Sequence, residues 1–132
     1  SEQQYGNLER VMGAYPLDFI QIDYAMDNRE AAQRILPLAA ERKMAVLINL
    51  PFGRNRLFQK VAGKPLPPFA AEFDCTSWAQ FFLKYLVSNP SVTCVIPGTE
   101  KVEYVIDNLG AARGRLPDPA MRTRMEQYFD AL

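Results

Sequence analysis

Residues 18–24 read DFIQIDY and residues 45–50 read AVLINL. Aromatic and β-branched side chains dominate both, as in strands. The second run is almost continuously apolar, which suits a strand covered on both faces. A third run, residues 92–96 (VTCVI), has the same character. Helical periodicity fills the spaces around them. Tyr5, Leu8, Val11 and Met12 share one face of a first helix, opened by a capping box at residues 1–4 and closed at Gly13 and Pro16. Asn28 can cap a second helix to about Lys43, with Ala32, Ile35, Leu36 and Ala39 inward and a kink or a broken turn at Pro37. Thr76 or Ser77 caps a third, with the stripe Trp78, Phe81, Phe82, Tyr85 and Leu86. Thr99 caps a fourth, with Val102, Val105, Ile106 and Leu109 inward. Asp118 and Pro119 open a fifth, carrying Met121, Met125, Phe129 and Leu132. Strands alternating with helices predict an α/β fold with a parallel sheet and right-handed crossovers.

Composition narrows the chemistry. The chain has 132 residues, 15 basic and 15 acidic side chains, and no histidine. Zero net charge gives no electrostatic reason to expect nucleic acid or an anionic membrane surface. Without histidine there is no Ser-His-Asp triad, no imidazole base and no His-ligated zinc. Cys75 and Cys94 are isolated, which fits a buried, reduced pair better than a disulfide framework or a metal site. No apolar run reaches the roughly 18 residues of a membrane span. The first residue is Ser1, so a processed or excised chain is expected. A cytoplasmic location is expected, with a periplasmic one left open.

Residues 51–75 break the pattern. Pro51, Gly53, Gly63, Pro65, Pro67 and Pro68 interrupt it, and only residues 57–61 look briefly helical. Long loops in compact domains are often functional.

Three strands are few for a parallel sheet, which would keep two unpaired edges. If Ile20 and Ile22 face the helices, then Phe19, Gln21 and Asp23 face the other way, and Asn49 shares their side. One reading makes these polar groups solvated, because the sheet is an edge piece. Another points them into a polar pocket at the carboxyl end of a parallel barrel. The strand pattern alone supports both.

Three stretches resemble the aldo/keto reductases. DFIQIDYAMDNREA (residues 18–31) is similar to that family's sixth barrel strand and following helix. AVLINLPFGRNRLF (residues 45–58) is similar to the seventh strand and its loop. NPSVTCVIPGTEKVEYVIDNL (residues 89–109) is similar to the eighth strand, its turn and the next helix. The resemblance implies that residues 1–132 are the C-terminal half-barrel of a (β/α)8 TIM barrel, strands six to eight, with residues 51–75 as a loop on the cofactor and substrate side. The family reduces carbonyls with NADPH. Its catalytic tyrosine, lysine, aspartate and histidine belong to the early strands, so the resemblance assigns no catalytic residue here. Tyr24 and Lys43 read as a packing residue and a helix C-terminal cation.

What the resemblance does imply is a cofactor surface. Gln21 matches the glutamine that binds the nicotinamide carboxamide. Asn49 stands where many members have a stacking tyrosine. Leu50, Pro51, Phe52, Gly53 and Arg54 match the loop that passes the pyrophosphate. Pro97, Gly98 and Thr99 match the turn at the 2′-phosphate, with Thr99 supplying a hydroxyl at a helix N-terminus. Asp107 and Asn108 match the adenine contacts. Gly98 replaces a lysine and Tyr104 an arginine that many members use against the 2′-phosphate. Lys101 substitutes in part, and the implied preference for NADPH over NADH is weakened. The expected partners are the missing N-terminal half of the barrel and a second copy, met through open sheet edges or the inner face.

Overall fold

The computed structural model describes residues 2–132. The expected cap at Ser1 lies outside them. In chain order the elements are α1 (Glu2–Ala14), β1 (Phe19–Asp23), α2 (Ile35–Glu41), β2 (Ala45–Asn49), α3 (Arg56–Val61), α4 (Trp78–Val87), β3 (Cys94–Val95), α5 (Val102–Leu109) and α6 (Pro119–Asp130). Short 3₁₀ turns cover Glu30–Ala32, Pro68–Phe73 and Gly110–Ala112.

Among the described residues three strands form one parallel sheet in the order β1-β2-β3. Phe19 pairs with Ala45 and Asp23 with Asn49, so β1 and β2 run in full register. The β3 ladder is shorter than the sequence predicts, with Leu47 opposite Cys94 and Ile48 opposite Val95. Backbone bonds from Thr93 to Val46 and from Ile96 to Ile48, both 2.9 Å, extend the contact at each end.

The helices cover one face of the sheet. Ile20, Val46 and Ile48 are buried there. The opposite face is open: Phe19 is 62% exposed, Gln21 is exposed and Leu47 half-buried. This matches the alternation in β1. Cys75 is buried but Cys94 is exposed, so the two cysteines are not the buried pair that the sequence suggests. Burial pushes the Cys75 thiol up to about 11.

Side-chain caps fix the start of two helices. Ser77 Oγ accepts from the Gln80 amide at 3.1 Å, capping α4. Asp118 Oδ1 accepts from Met121 N at 2.8 Å, with Pro119 at the first helical position of α6. The second helix departs from expectation. Asn28 does not cap it but exchanges two backbone bonds with Ala25. A 3₁₀ turn comes first, and α2 starts only at Ile35. Pro37 then lies in its opening turn, where the missing N–H has no intrahelical role, and the break falls just before it, at residues 33–34, as the broken turn expected there. Lys43 sits beyond α2 in the left-handed region, at φ 57°.

Residues 51–75 are not a featureless loop. α3 and the turn Pro68–Phe73 occupy them, and Leu57, Val61, Phe69, Ala70 and Phe73 join the core. Phe69 and Phe73 contact Phe81 with ring centroids 6.4 and 6.1 Å apart. Lys84, fully buried within this region, donates to the carbonyls of Phe73, Arg113 and Arg115 at 2.8, 2.7 and 2.9 Å. Its three N–H donors are all used, which is how a buried ammonium avoids a large desolvation cost.

A correction concerns α5. Val102, Val105, Ile106 and Leu109 should face inward, but they are 70, 43, 66 and 54% exposed. The periodicity finds the apolar face correctly, but the described chain covers it only in part, with Val105 and Leu109 beside Leu83 and Val87.

Candidate functional site

Parallel strands bring their carboxyl ends, and the loops that follow them, to one edge of the sheet. The loop after β2 is the most constrained. Leu50, Arg54 and Asn55 are non-glycine residues at φ 51°, 53° and 71°, and Gly53 lies at 58°. Leu50 and Arg54 held there cost about 1–2 kcal/mol each, and asparagine costs less. Such strain concentrates at ligand clamps and active sites. A side chain at Gly53 would also crowd its neighbours. A Cβ there would meet Arg56 Nη2 at 2.7 Å and Asp27 Oδ1 at 3.2 Å. Arg56 in turn donates to Asp27 from Nε at 2.9 Å, tying this loop to the one after β1.

The loop after β3 approaches from the other side. Thr99 does not cap α5, contrary to the sequence reading. Its Oγ1 accepts from the Lys101 amide at 3.2 Å, and Lys101 itself stands at the helix N-cap without a side-chain cap bond. Lys101 Nζ lies 5.0 Å over the Tyr104 ring.

Between these loops and the first turn of α4 lies a cleft of about 730 Å³. Phe52, Gly98, Thr99, Lys101, Tyr104, Asp107 and Asn108, all named from the sequence, line it. The remaining candidates lie elsewhere. Leu50, Pro51, Gly53 and Arg54 build the strained turn without lining the cleft, and Arg54 is exposed. Pro97 lines an adjoining apolar groove of about 390 Å³. Gln21 and Asn49 belong to the open sheet face. Asn49 Nδ2 donates to Asp23 Oδ1 at 2.5 Å, while its own Oδ1 is buried and has no partner.

The sequence reading missed several lining residues: Asn55, Phe58, Ser77, Trp78, Ala79 and Glu100. A signal existed for Ser77 and Trp78. A helix that follows a parallel strand starts at the strands' carboxyl edge, so a predicted cap at Ser77 also predicts the location of its neighbours. Aromatic rings make one wall. Phe52 and Phe58 have centroids 4.8 Å apart, and Trp78 stacks on Phe82 at 5.7 Å and 24°.

The cleft is not strongly cationic. Among the described residues lining it, Lys101 is the single basic side chain, against Glu100 and Asp107. Asp107 is already engaged: Ser77 Oγ donates to both its oxygens at 2.9 and 2.8 Å, and Gln80 Nε2 to Oδ1 at 3.0 Å. Among the described residues no group of three or more His, Cys, Asp or Glu could hold a metal ion. No helix among them is long and apolar enough to cross a membrane.

No protein-family model matches the chain. A solved structure, aldo-keto reductase AKR11C1 from Bacillus halodurans in its holo form, is similar in three dimensions at a TM-score of 0.68 and 18% sequence identity. The likeness covers 92% of this chain and 46% of that one, so the chain spans about half the length of the structure it matches. The three parallel strands and their helices thus have the fold of part of an aldo-keto reductase barrel.

Proposed function

We propose that this chain is the cofactor-holding C-terminal portion of an NADPH-dependent aldo/keto reductase, and that its cleft takes the adenosine end of the dinucleotide. The observation that carries this reading is convergence. Seven residues drawn from two distant stretches, Phe52 and six between Gly98 and Asn108, line one cleft at the carboxyl edge of a parallel sheet. Its volume of about 730 Å³ falls within the usual range for small-molecule sites.

The residues fit an adenosine phosphate in outline. Aromatic faces at Phe52, Phe58 and Trp78 suit a planar base, and Lys101 with Thr99 suits a phosphate. Asn108 can offer both a donor and an acceptor to a base edge. When bound, the cofactor would supply hydride. The chain's contribution is to hold and orient it, with Gln21 on the open sheet face toward the nicotinamide. One cation against two carboxylates gives no electrostatic preference for the 2′-phosphate over its absence.

In this reading the tyrosine, lysine, aspartate and histidine that carry proton transfer in the family belong to the missing N-terminal half, and the chain is inactive alone. Two free thiols are consistent with a reducing, cytoplasmic setting. Calorimetric titration with NADP⁺, NADH and 2′,5′-ADP tests the reading. Weak saturable heat with NADP⁺ and 2′,5′-ADP is expected. No heat with any of the three at millimolar ligand overturns cofactor binding. Carbonyl-dependent oxidation of NADPH by the chain alone overturns its inactivity.

A second reading concerns association. Phe19, Val102 and Ile106 are 62, 70 and 66% exposed, and the outer edges of β1 and β3 are unpaired in the sheet. Exposed edges and apolar faces favour pairing with another chain. The occupant is the N-terminal half-barrel or, without it, a second copy. Light scattering on the isolated chain should report a species larger than a monomer. A clean monomer at high concentration counts against self-association.

A further inference from the structure

α5 is eight residues long and buries none of them. Helices this short are unstable without tertiary support. Part of that support is polar. The Asp107 carboxylate accepts from Ser77 Oγ and Gln80 Nε2, and Gln80 Nε2 also donates to the Asp107 carbonyl at 3.2 Å. Gln80 is 8% exposed, and its Oε1 accepts from the Thr76 amide and hydroxyl at 3.0 and 2.9 Å. Both ends of this amide are therefore committed, which fixes its orientation. Gly110, directly after α5, comes so close that a Cβ there would meet Gln80 Nε2 at 2.3 Å.

We propose that Ser77, Gln80 and Asp107 form a latch that holds α5 against the start of α4, and that Gln80 and Asp107 position the cleft wall instead of touching the ligand. The inference rests on the adenosine reading of the cleft and changes the part Asp107 plays in it. Lys101, Tyr104 and Asn108 all ride on α5 or its cap, so releasing the helix moves them together. Gln80 is the decisive probe, because it belongs to the latch but does not line the cleft.

The test uses the whole chain, with NADP⁺ as ligand. Binding is followed by the fluorescence of Trp78, the single tryptophan, which lines the cleft. Hydrogen exchange of the α5 amides is read in parallel without ligand. Gln80→Met should weaken NADP⁺ binding about tenfold, as should Asp107→Asn. In both, the α5 amides should exchange faster while those of β2 keep their protection. Ser77→Ala should behave likewise, and Ser77→Thr, which keeps the hydroxyl, should restore binding. Should Gln80→Met not fold, Gly110→Ala displaces the same amide and carries the same expectation. Binding by Gln80→Met within about twofold of the parent, beside a large loss in Asp107→Asn, would overturn the latch in favour of direct contact. If the parent chain binds no NADP⁺, the adenosine reading fails. Exchange then decides the latch alone, and unchanged α5 exchange in Gln80→Met overturns it.

Discussion

The side chain of Asn49 donates from Nδ2 to Asp23 Oδ1 at 2.5 Å, across directly paired positions of β2 and β1. This bond closes the carboxyl end of the sheet on its open face. It explains why an amide and a carboxylate occupy adjacent strand ends without any ligand. Asn49→Asp would set two carboxylates opposite each other, and like charges so placed repel. The variant should lose about 1 kcal/mol, read as a lower urea midpoint at unchanged slope. An unchanged midpoint would show that the pair is solvated and contributes nothing.

Gly53 combines a left-handed backbone with a crowded α-carbon. Gly53→Ala must place a methyl against Arg56, whose guanidinium holds Asp27. A loss of about 1–2 kcal/mol from the backbone alone is expected, with a further loss if the Arg56–Asp27 link opens. Comparing Gly53→Ala in the parent and in an Arg56→Ala background separates the two. A smaller loss in that background assigns the difference to the side-chain clash.

Lys84 joins three carbonyls from two segments that the Asp74–Arg115 pair also links. Lys84→Met keeps the volume and removes every donor. The orphaned carbonyls should cost about 2–4 kcal/mol in sum. Chemical denaturation measures this directly. A cost near zero would mean that desolvating the ammonium already cancels its bonds.

The Asp74–Arg115 pair supplies a pH test. Arg115 donates to Asp74 from its side chain at 3.1 and 3.0 Å and from its backbone amide at 2.8 Å. These bonds, the side-chain ones first, hold the Asp74 carboxyl well below its ordinary value of 3.8. A carboxyl depressed in the folded state binds fewer protons there than in the unfolded chain. Its stabilisation is complete above the unfolded value and is lost as pH falls toward the folded one. Asp74→Asn should therefore be less stable than the parent at neutral pH, and the gap should narrow below about pH 4. Parallel stability curves across that range would refute the assignment.

Much of this architecture is legible in short windows of sequence. DFIQIDY and AVLINL become β1 and β2, and the alternation in β1 correctly separates Ile20 from Phe19 and Gln21. Ser77 and Asp118 cap the helices they precede, because capping needs only a side-chain oxygen two or three residues before an unpaired amide. Within residues 51–75 the brief helical pattern at 57–61 becomes α3, but the stretch after it is illegible for the opposite reason. Phe69 and Phe73 enter the core from an irregular stretch, and burial without periodicity leaves no pattern to read. In α5 the stripe Val102, Ile106 and Leu109 is visible, but a stripe records a preference for cover and not whether a neighbour is present.

The candidate site divides along the same line. The turn at Gly98 and Thr99 and the loop at Phe52 can be picked out as segments, since their residue types and spacings are local. That they share one cleft with Ser77 and Trp78 depends on how parallel strands stack three loops at one edge. The engagement of Asp107 by Ser77 and Gln80 spans 30 and 27 residues. Helical spacing says that Asp107 lies on one side of α5, but no local rule says which distant donor meets it. Strand segments, the caps at Ser77 and Asp118, and apolar faces follow from interactions between near neighbours in the chain. The partners of Asp107, Lys84 and Asn49 follow from packing, because only a folded chain brings donors that far apart in sequence within 3 Å or less of their acceptors.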